Sequence, residues 1–235
     1  MDADPLSQIE KNIRLIEERI ARTAEACGRR PEEITLLAIS KTFPRDAIVE
    51  AMRVGLRQFG ENRVQEAETK IPFFENVTKP EWHMVGHLQS NKARRAVELF
   101  DVIQSVDSLK LAERINQASQ DLGKVTPVLL QVDLAGEMTK FGAMPDEILT
   151  ILGAASNLSN ISIDGLMLIP PYLEDPELVR PYFHKLREMK DTLEAEQPGC
   201  LGKRHLSMGM SHDFEAAICE GATIVRIGTA IFGTR

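Results

Sequence analysis

The sequence contains no apolar run that approaches the roughly 18 residues of a membrane-spanning helix. We therefore predict that the protein does not enter a membrane. Positive charge is also scarce, because 28 lysines and arginines stand against 35 aspartates and glutamates, which gives a formal net charge of −7. This balance argues against nonspecific binding to nucleic acids. The one basic group, Lys92, Arg94 and Arg95, is interpreted as the solvated face of a helix.

Cysteine is equally scarce, and its spacing carries little information. The three cysteines are Cys27, Cys200 and Cys219, and no CxxC pair is present. The sequence therefore predicts neither a disulfide framework nor a zinc site. A reducing, cytoplasmic location is the resulting expectation. The acidic and amphipathic N-terminus is unlike a signal peptide, which supports the same location.

A metal site is not expected elsewhere either, because no HExxH motif is present. His83 and His87 are four residues apart, and in a strand this spacing separates two side chains by about 13 Å at ~3.3 Å per residue. They could not bind one ion at that separation. We predict that one or both form hydrogen bonds in the core or lie beside a pocket.

The N-terminal segment predicts a long amphipathic helix. Asp4 and Pro5 can cap and begin this helix, and Gly28 and Pro31 can end it. Between these residues, isoleucines recur at spacings of four, three and four, which places one apolar stripe along the helix: Ile9, Ile13, Ile16 and Ile20.

Strand-like and helix-like segments alternate through the rest of the chain. The predicted strands are 34–41, 58–61, 82–87, 102–106, 127–133, 163–169, 205–208 and 223–227. The predicted helices are 45–54, 64–74, 90–100, 109–122, 146–158, 176–196 and 211–220, followed by a terminal turn at 229–232. Alternation of this kind indicates a parallel sheet covered by helices.

Eight such units in 235 residues fit a closed barrel. An open doubly wound sheet is the structural alternative, but it usually has a glycine-rich first turn, and the segment ISKTFP contains no glycine. No linker or low-complexity tract divides the chain. We predict the α/β class, with residues 1–235 forming a single-domain (β/α)8 TIM barrel that carries an extra N-terminal helix.

The first predicted strand ends in a lysine. Both alternating faces of this strand are apolar, with Leu37 and Ile39 on one face and Ala38 on the other, as in a sheet buried on both sides. Lys41 therefore lies at the carboxyl end of a buried strand, where α/β folds place their chemistry. A lysine in this position can also simply be the point where the chain reaches solvent, with its aliphatic stem covering apolar surface.

The last predicted strand combines a cation with a turn suited to anions. Arg226 lies within a run of isoleucine, valine and glycine, and a buried guanidinium needs partners. Gly228 and Thr229 begin a short helix, whose first N–H groups can bind an anion. Arg226 could instead pair with a structural carboxylate, and Gly228 could form only a tight turn.

Ser211 could cap the helix that follows strand seven, or it could donate its hydroxyl to a phosphate.

Six segments together resemble the pyridoxal phosphate (PLP) homeostasis proteins, which are single-domain relatives of alanine racemase. The segments occur in the family's order from Leu36 to Gly233 and read LLAISKTFP, FGENRVQEA, WHMVGHLQSNK, GLMLIP, LSMGMSHDFEAAI and VRIGTAIFG. Because they span essentially the whole chain, the combination is highly specific, although no single segment would be.

The resemblance implies a set of cofactor-binding residues. Lys41 is implied to form the internal aldimine with PLP, and Arg226 to face the pyridine nitrogen, so we expect Lys41 to be partly shielded from water and near Arg226. The remaining implied residues are Ser211, Gly228 and Thr229 at the phosphate, with Ser207 as a further candidate there, and Asn62 and Met167 lining the pocket.

The same resemblance implies that the protein carries PLP and does not use it for catalysis. An arginine does not give up its proton in practice, so it would leave the pyridine nitrogen unprotonated, and the cofactor would be poorly set up to stabilise a carbanion. Alanine racemases also use a tyrosine from an additional β domain. The chain ends at Arg235 directly after strand eight, and Tyr172 and Tyr182 match no catalytic position of the family, so we expect that second base to be missing.

We therefore predict a non-catalytic PLP-binding protein of intracellular PLP homeostasis. A PLP-dependent amino-acid racemase is the alternative, and a sugar-phosphate barrel enzyme is a third hypothesis. The expected partners are PLP and the PLP-dependent apo-enzymes that could receive it. The expected oligomeric state is a monomer or a weak dimer.

Overall fold

Eight parallel strands form a closed barrel in the part of the chain that the computed structural model describes, residues 7–74, 79–136 and 141–233. The strands are β1 (Thr35–Ile39), β2 (Gln58–Glu61), β3 (Glu81–Met84), β4 (Val102–Val106), β5 (Thr126–Val132), β6 (Ile161–Leu168), β7 (His205–Met210) and β8 (Ile224–Ile227). β1 closes the barrel by pairing with β8, which places Leu37 opposite Arg226. The predicted (β/α)8 fold is confirmed, and the open-sheet alternative is wrong.

Helices alternate with these strands as predicted. They are α1 (Gln8–Ala26), α2 (Arg45–Arg53), α3 (Val64–Lys70), α4 (Ala93–Leu99), α5 (Leu109–Asp121), α6 (Pro145–Gly153), α7 (Arg180–Glu196), α8 (Phe214–Cys219) and α9 (Thr229–Phe232). α3 and α7 are shorter than predicted because Pro72 and Pro181 lack the N–H that a helix interior requires, and 3-10 turns adjoin both helices. Within the described residues, none of the helices combines the length and the apolar character needed to cross a bilayer.

The barrel wall separates two apolar cores. The first, called the barrel-interior cluster, comprises Leu37, Ile39, Val85, Leu129, Met167 and Ile224. The second and larger core lies between the outer faces of the strands and the surrounding helices, and it includes Ala38 of β1 and Ile13 of α1. β1 therefore contributes to both cores, in agreement with its two apolar faces.

α1 packs against α8 and α9, the last two helices of the chain. Ser7 caps α1 by accepting a hydrogen bond from its first turn, and the predicted cap at Asp4 and Pro5 lies outside the described residues. The amide of Asn12 donates to the carbonyl of Ile231 in α9 at 2.8 Å. The predicted apolar stripe is buried at Ile13, Ile16 and Ile20.

Cys27 and Cys219 form a disulfide, with their Cα atoms 5.4 Å apart. The prediction that no disulfide forms is therefore wrong. Cys27 directly follows α1 and Cys219 ends α8, and these two helices are brought together only when the barrel closes. A separation of 192 residues leaves no local trace of that proximity in the sequence.

Candidate functional site

The predicted site residues lie on consecutive strands at one part of the barrel. β6, β7, β8, β1 and β2 are neighbours in the closed sheet, and the carboxyl ends of parallel strands meet at the same rim. Along these strands the structure places Met167 in β6, Ser207 in β7, Ser211 after β7, Arg226 in β8, Gly228 and Thr229 at the start of α9, Lys41 after β1 and Asn62 after β2.

Lys41 lies in the turn between β1 and α2, and its side chain is exposed. The expectation that it is partly shielded from water is therefore wrong. β1 ends at Ile39 and the next residue, Ser40, is the one that is fully buried, so Lys41 belongs to the turn rather than to the strand. Its amine has no hydrogen bond or ion pair with any described residue, which leaves the amine available to a ligand.

Arg226 is buried inside the barrel, with 4% of its surface exposed. Its Nη1 donates to Ser207 Oγ at 2.9 Å, and its Nη2 donates to the carbonyl of Leu168 at 2.8 Å. Among the described residues it forms no ion pair with a carboxylate, so the structural-pair alternative has no support there. Burial lowers the pKa of Arg226 to about 10, against the opposing influence of Asp213, so the guanidinium keeps its proton at neutral pH.

A chain of polar side chains connects Arg226 to the amino end of the barrel. Ser207 Oγ donates to Gln104 Oε1 at 2.6 Å, and Gln104 Nε2 lies 2.7 Å from His83 Nδ1. His83 Nε2 lies 3.0 Å from Glu81 Oε1 and lowers the pKa of that carboxyl. With the His83 proton on Nε2, each of these contacts pairs a donor with an acceptor. The chain therefore restricts the orientation of the guanidinium.

Gln104 is absent from the predicted site, although its strand offered a signal. The segment VIQSV places an amide in the middle of an otherwise largely apolar strand, and a buried amide needs hydrogen-bond partners. Local sequence indicates that such a residue has partners, but it does not indicate which ones.

The two histidines have different surroundings. His83 forms the predicted hydrogen bonds inside the barrel. β3 ends at Met84 rather than at His87, so His87 lies in the following loop, where its ring stacks on Phe141 with centroids 3.7 Å apart. Among the described residues, no group of three His, Cys, Asp or Glu side chains could hold a metal ion.

The start of α9 packs directly against the end of β1. A Cβ at Gly228 would lie 3.3 Å from the carbonyl oxygen of Ile39, so the absence of a side chain allows this close approach. Ile39 is two residues before Lys41, and the first N–H groups of α9 are therefore near the turn that carries the lysine. Backbone N–H groups at a helix start suit an anion.

Ser211 belongs to the same part of the rim, but it does not cap α8. β7 extends to Met210, two residues beyond its predicted end, and α8 begins only at Phe214, so the capping alternative is wrong. Instead, Ser211 Oγ accepts a hydrogen bond from the N–H of Ala230 in α9 at 3.4 Å. Ser211 is thus placed beside the first turn of α9.

Asn62 carries a buried acceptor without a partner. Its Oδ1 is inaccessible to water and has no hydrogen bond among the described residues. A Cβ at Gly86 would overlap the carbonyl oxygen of Asn62, so the loop after β3 packs tightly against this residue. Asn62 lines a cavity of ≈ 460 Å³ together with residues that include Arg63, Met84 and Lys92. Asn62 is the one predicted site residue among the described residues that line this cavity, so the cavity lies apart from Lys41 and Arg226.

Met167 lies deeper than the other predicted residues. It is fully buried in the barrel-interior cluster, and it is paired in register with Ser207 of β7. Its thioether therefore offers an apolar contact close to the Ser207 and Arg226 pair, rather than a surface at the mouth of the barrel.

Comparisons with known proteins agree on one family. The sequence profile of the alanine racemase N-terminal domain matches residues 6–235. The pyridoxal phosphate homeostasis protein of Aquifex aeolicus is 46% identical over 218 residues, which cover 93% of this chain and 94% of that protein. PipY of Synechococcus elongatus, solved with PLP bound, is 41% identical with a TM-score of 0.80, and the match covers 91% of this chain and 100% of that chain.

A more distant similarity concerns the fold alone. Alanine racemase from Bartonella henselae has a TM-score of 0.71 at 15% identity. The match covers 97% of this chain but 58% of the racemase chain.

Proposed function

The chain belongs to the pyridoxal phosphate homeostasis protein family, and from this premise we propose that it binds PLP at the rim described above. In this proposal the whole chain is one PLP-binding domain that holds the cofactor at Lys41 without turning over amino acids. Its role is in intracellular vitamin B6 homeostasis, as a monomer or weak dimer. The proposed cytoplasmic location rests on that role and not on the cysteines, because Cys27 and Cys219 are paired. PLP-dependent apo-enzymes are the candidate recipients of the cofactor.

The observation that carries the proposal is the arrangement of three different groups on adjacent segments. PLP requires an amine for its aldehyde, a partner for its ring nitrogen and a site for its phosphate. The rim offers the free amine of Lys41, the buried guanidinium of Arg226, and the first N–H groups of α9 beside Ser211. β8, which contains Arg226, pairs directly with β1, which precedes Lys41.

The remaining predicted residues fit the same ligand. Gly228 permits α9 to approach the end of β1, and Thr229 begins that helix, so both would lie at the phosphate. Asn62 follows β2 directly and would line the pocket beside the turn of Lys41, and Met167 would contribute an apolar contact. Ser207 does not suit the phosphate, as the resemblance had implied, because it is fully buried and its hydroxyl is bonded to Arg226 and Gln104; it would act through Arg226 instead.

Covalent retention needs only the lysine and the aldehyde. Lys41 would hold PLP through its Nζ, which would replace the aldehyde oxygen on the cofactor's carbon, with that oxygen released as water. The step requires no oxidant or reductant, and the attacking amine must be uncharged. The Lys41 amine is exposed, so the aldehyde can reach it, and no described carboxylate pairs with it.

Arg226 is the feature that favours retention over catalysis. In enzymes, PLP supplies an electron sink for carbanions, and this sink is strongest when the ring nitrogen is protonated. Burial lowers the pKa of Arg226 to about 10, which still leaves the guanidinium a donor at neutral pH. It would donate a hydrogen bond to the ring nitrogen without transferring its proton.

The racemase alternative requires a base on each face of the substrate. Tyr182 lies on α7 and packs against the outer core, which is outside the barrel. Tyr172 is 75% exposed in the loop after β6, with its ring 5.3 Å from that of His212. Neither environment provides the enclosed, oriented base that proton abstraction requires.

We expect the PLP-loaded protein to exchange no Cα hydrogen of alanine or serine with solvent deuterium beyond the rate of free PLP. The absorbance spectrum after addition of PLP first establishes that the protein is loaded, and mass spectrometry of the amino acid then measures the exchange. The Lys41→Ala variant at the same PLP concentration is the matched control. Exchange at an enzyme-like rate, lost in that variant, would establish the racemase alternative instead.

We expect Gln104→Leu to lower the free energy of unfolding by about 1–3 kcal/mol, because Ser207 and His83 would each lose a buried partner. Urea denaturation measures this loss. Ser119→Ala removes a buried hydrogen bond to Thr126 at the amino end of the barrel and is the matched control. Only Gln104→Leu should also weaken PLP binding. Equal PLP affinity in both variants would mean that the polar chain does not orient Arg226.

A further inference from the structure

The turn at residues 40–42, called the Lys41 turn, is bonded to the protein on both sides of its lysine. On the amino side, Ser40 is fully buried, and its Oγ donates to Glu61 Oε1 at 2.7 Å. The Ser40 carbonyl accepts a hydrogen bond from Lys70 Nζ at 2.8 Å. Both groups of Ser40 are thus bound to residues of other elements, β2 and α3.

The carboxyl side of the Lys41 turn is bonded to α3. The backbone N–H of Thr42 donates to Glu66 Oε1. Thr42 has a φ of +69°, a left-handed conformation that a β-branched residue rarely adopts. The turn therefore does not follow the intrinsic preference of its own sequence, and contacts from outside must stabilise this conformation.

Lys70 is the residue that joins the two sides. Its Nζ lies 2.8 Å from Glu61 Oε1 and 2.7 Å from Glu66 Oε1, in addition to its bond to the Ser40 carbonyl. Only 8% of its side chain is exposed. One buried ammonium therefore contacts both residues that anchor the turn.

The network is energetically costly, which indicates that it serves to position the Lys41 turn rather than to add stability. Burial raises the pKa of Glu61 although Lys70 opposes that effect, which shows how strongly the site disfavours charge. Glu61 Oε2 also has no hydrogen-bond partner among the described residues. Buried ion pairs often add little net stability compared with apolar side chains. All of these bonds converge on the Lys41 turn, while the lysine side chain itself remains free.

We propose that Lys70 is a positioning residue, which acts through Ser40, Glu61 and Glu66 to fix the Lys41 turn so that the Lys41 amine meets the aldehyde of PLP. The proposal rests on the proposed function of Lys41. Lys70 does not touch the cofactor in this proposal. It limits the orientations of the turn, so that less conformational freedom is lost when the carbon–nitrogen bond forms.

We expect Lys70→Met to slow covalent capture of PLP by on the order of 10- to 100-fold, the effect of misplacing a reacting group by about 1 Å. Stopped-flow absorbance measures the rate, and borohydride trapping followed by peptide mass spectrometry measures the covalent fraction at Lys41. Binding of 4-deoxypyridoxine 5'-phosphate, which lacks the aldehyde, should change less than twofold. A merely structural role would instead weaken binding of both compounds together or leave both unchanged, and either result would overturn the proposal.

Lys124→Met is the matched control, because Lys124 is a half-buried lysine that donates to a backbone carbonyl at the amino end of the barrel. Its capture rate should equal that of the wild type.

If Lys70→Met does not fold, Glu66→Ala and Glu66→Gln replace it, since the glutamine keeps an acceptor for Thr42. Slow capture in Glu66→Ala with recovery in Glu66→Gln would support the proposal, and wild-type rates in both would refute it. A wild-type protein with no label at Lys41 would refute the proposed function itself.

Discussion

The Lys41→Ala variant should retain no borohydride-reducible PLP, whereas the wild type should carry the cofactor mass on the peptide that contains Lys41. The reason is that Lys41 has an exposed amine without a competing partner among the described residues, in the turn directly after β1. The loss of covalent label should be complete, because the alanine cannot form the carbon–nitrogen bond. Absorbance and peptide mass spectrometry after reduction measure the result.

Lys92→Ala is a suitable control for this experiment. Lys92 also lies near the carboxyl rim, and it lines the cavity that Asn62 borders. The Lys92→Ala protein should retain the full label at Lys41. If the cofactor mass were found on Lys92 or another lysine in the wild type, Lys41 would be only a solvent-exposed residue at the end of a strand, without a role in PLP binding.

The Arg226→Glu variant should bind PLP at least about tenfold more weakly, equivalent to about 1.4 kcal/mol. It should also shift the absorption of the bound cofactor, because a carboxylic acid, unlike a guanidinium, can share its proton with the ring nitrogen. Its free energy of unfolding should fall by about 3–5 kcal/mol, since Ser207 and the Leu168 carbonyl lose their donor and an unpaired acid is buried. Equilibrium titration and absorbance spectra measure the first two effects.

Arg29→Leu separates the effect on the cofactor from the effect on stability. Arg29 donates to the carbonyls of Ile218 and Ala222, and it lies just before β1, at the amino end of the barrel. This variant should lose stability but keep the wild-type spectrum and affinity for PLP. If Arg226→Glu had the same spectrum and affinity as Arg29→Leu, Arg226 would be a structural residue.

Much of the fold follows from local patterns. Apolar residues repeat with a period of two or of about 3.6, and this repetition reports which face of a segment is buried, so each predicted strand overlaps a strand of the closed barrel. Lys41 and Arg226 stand out for a related reason, since each is a charged residue at or near the end of an apolar strand. Their roles toward PLP stay predictions that the experiments above test.

The polar contacts around these two residues join segments that are distant in sequence. Ser207 and Gln104 are 103 residues apart in sequence, and Lys70 and Ser40 are 30 apart, yet each pair is hydrogen-bonded. Nothing in the segments that contain them indicates the partner.

The sequence by itself determined which segments are strands, that they alternate with helices in a parallel barrel, and where charged residues interrupt apolar strands. Only the tertiary structure decided that Lys41 is exposed, that Ser211 meets α9 and that Cys27 meets Cys219. The physical reason is that residue periodicity specifies the buried face of an element, whereas the register of the strands and the pairing of β1 with β8 specify which side chains share that buried space.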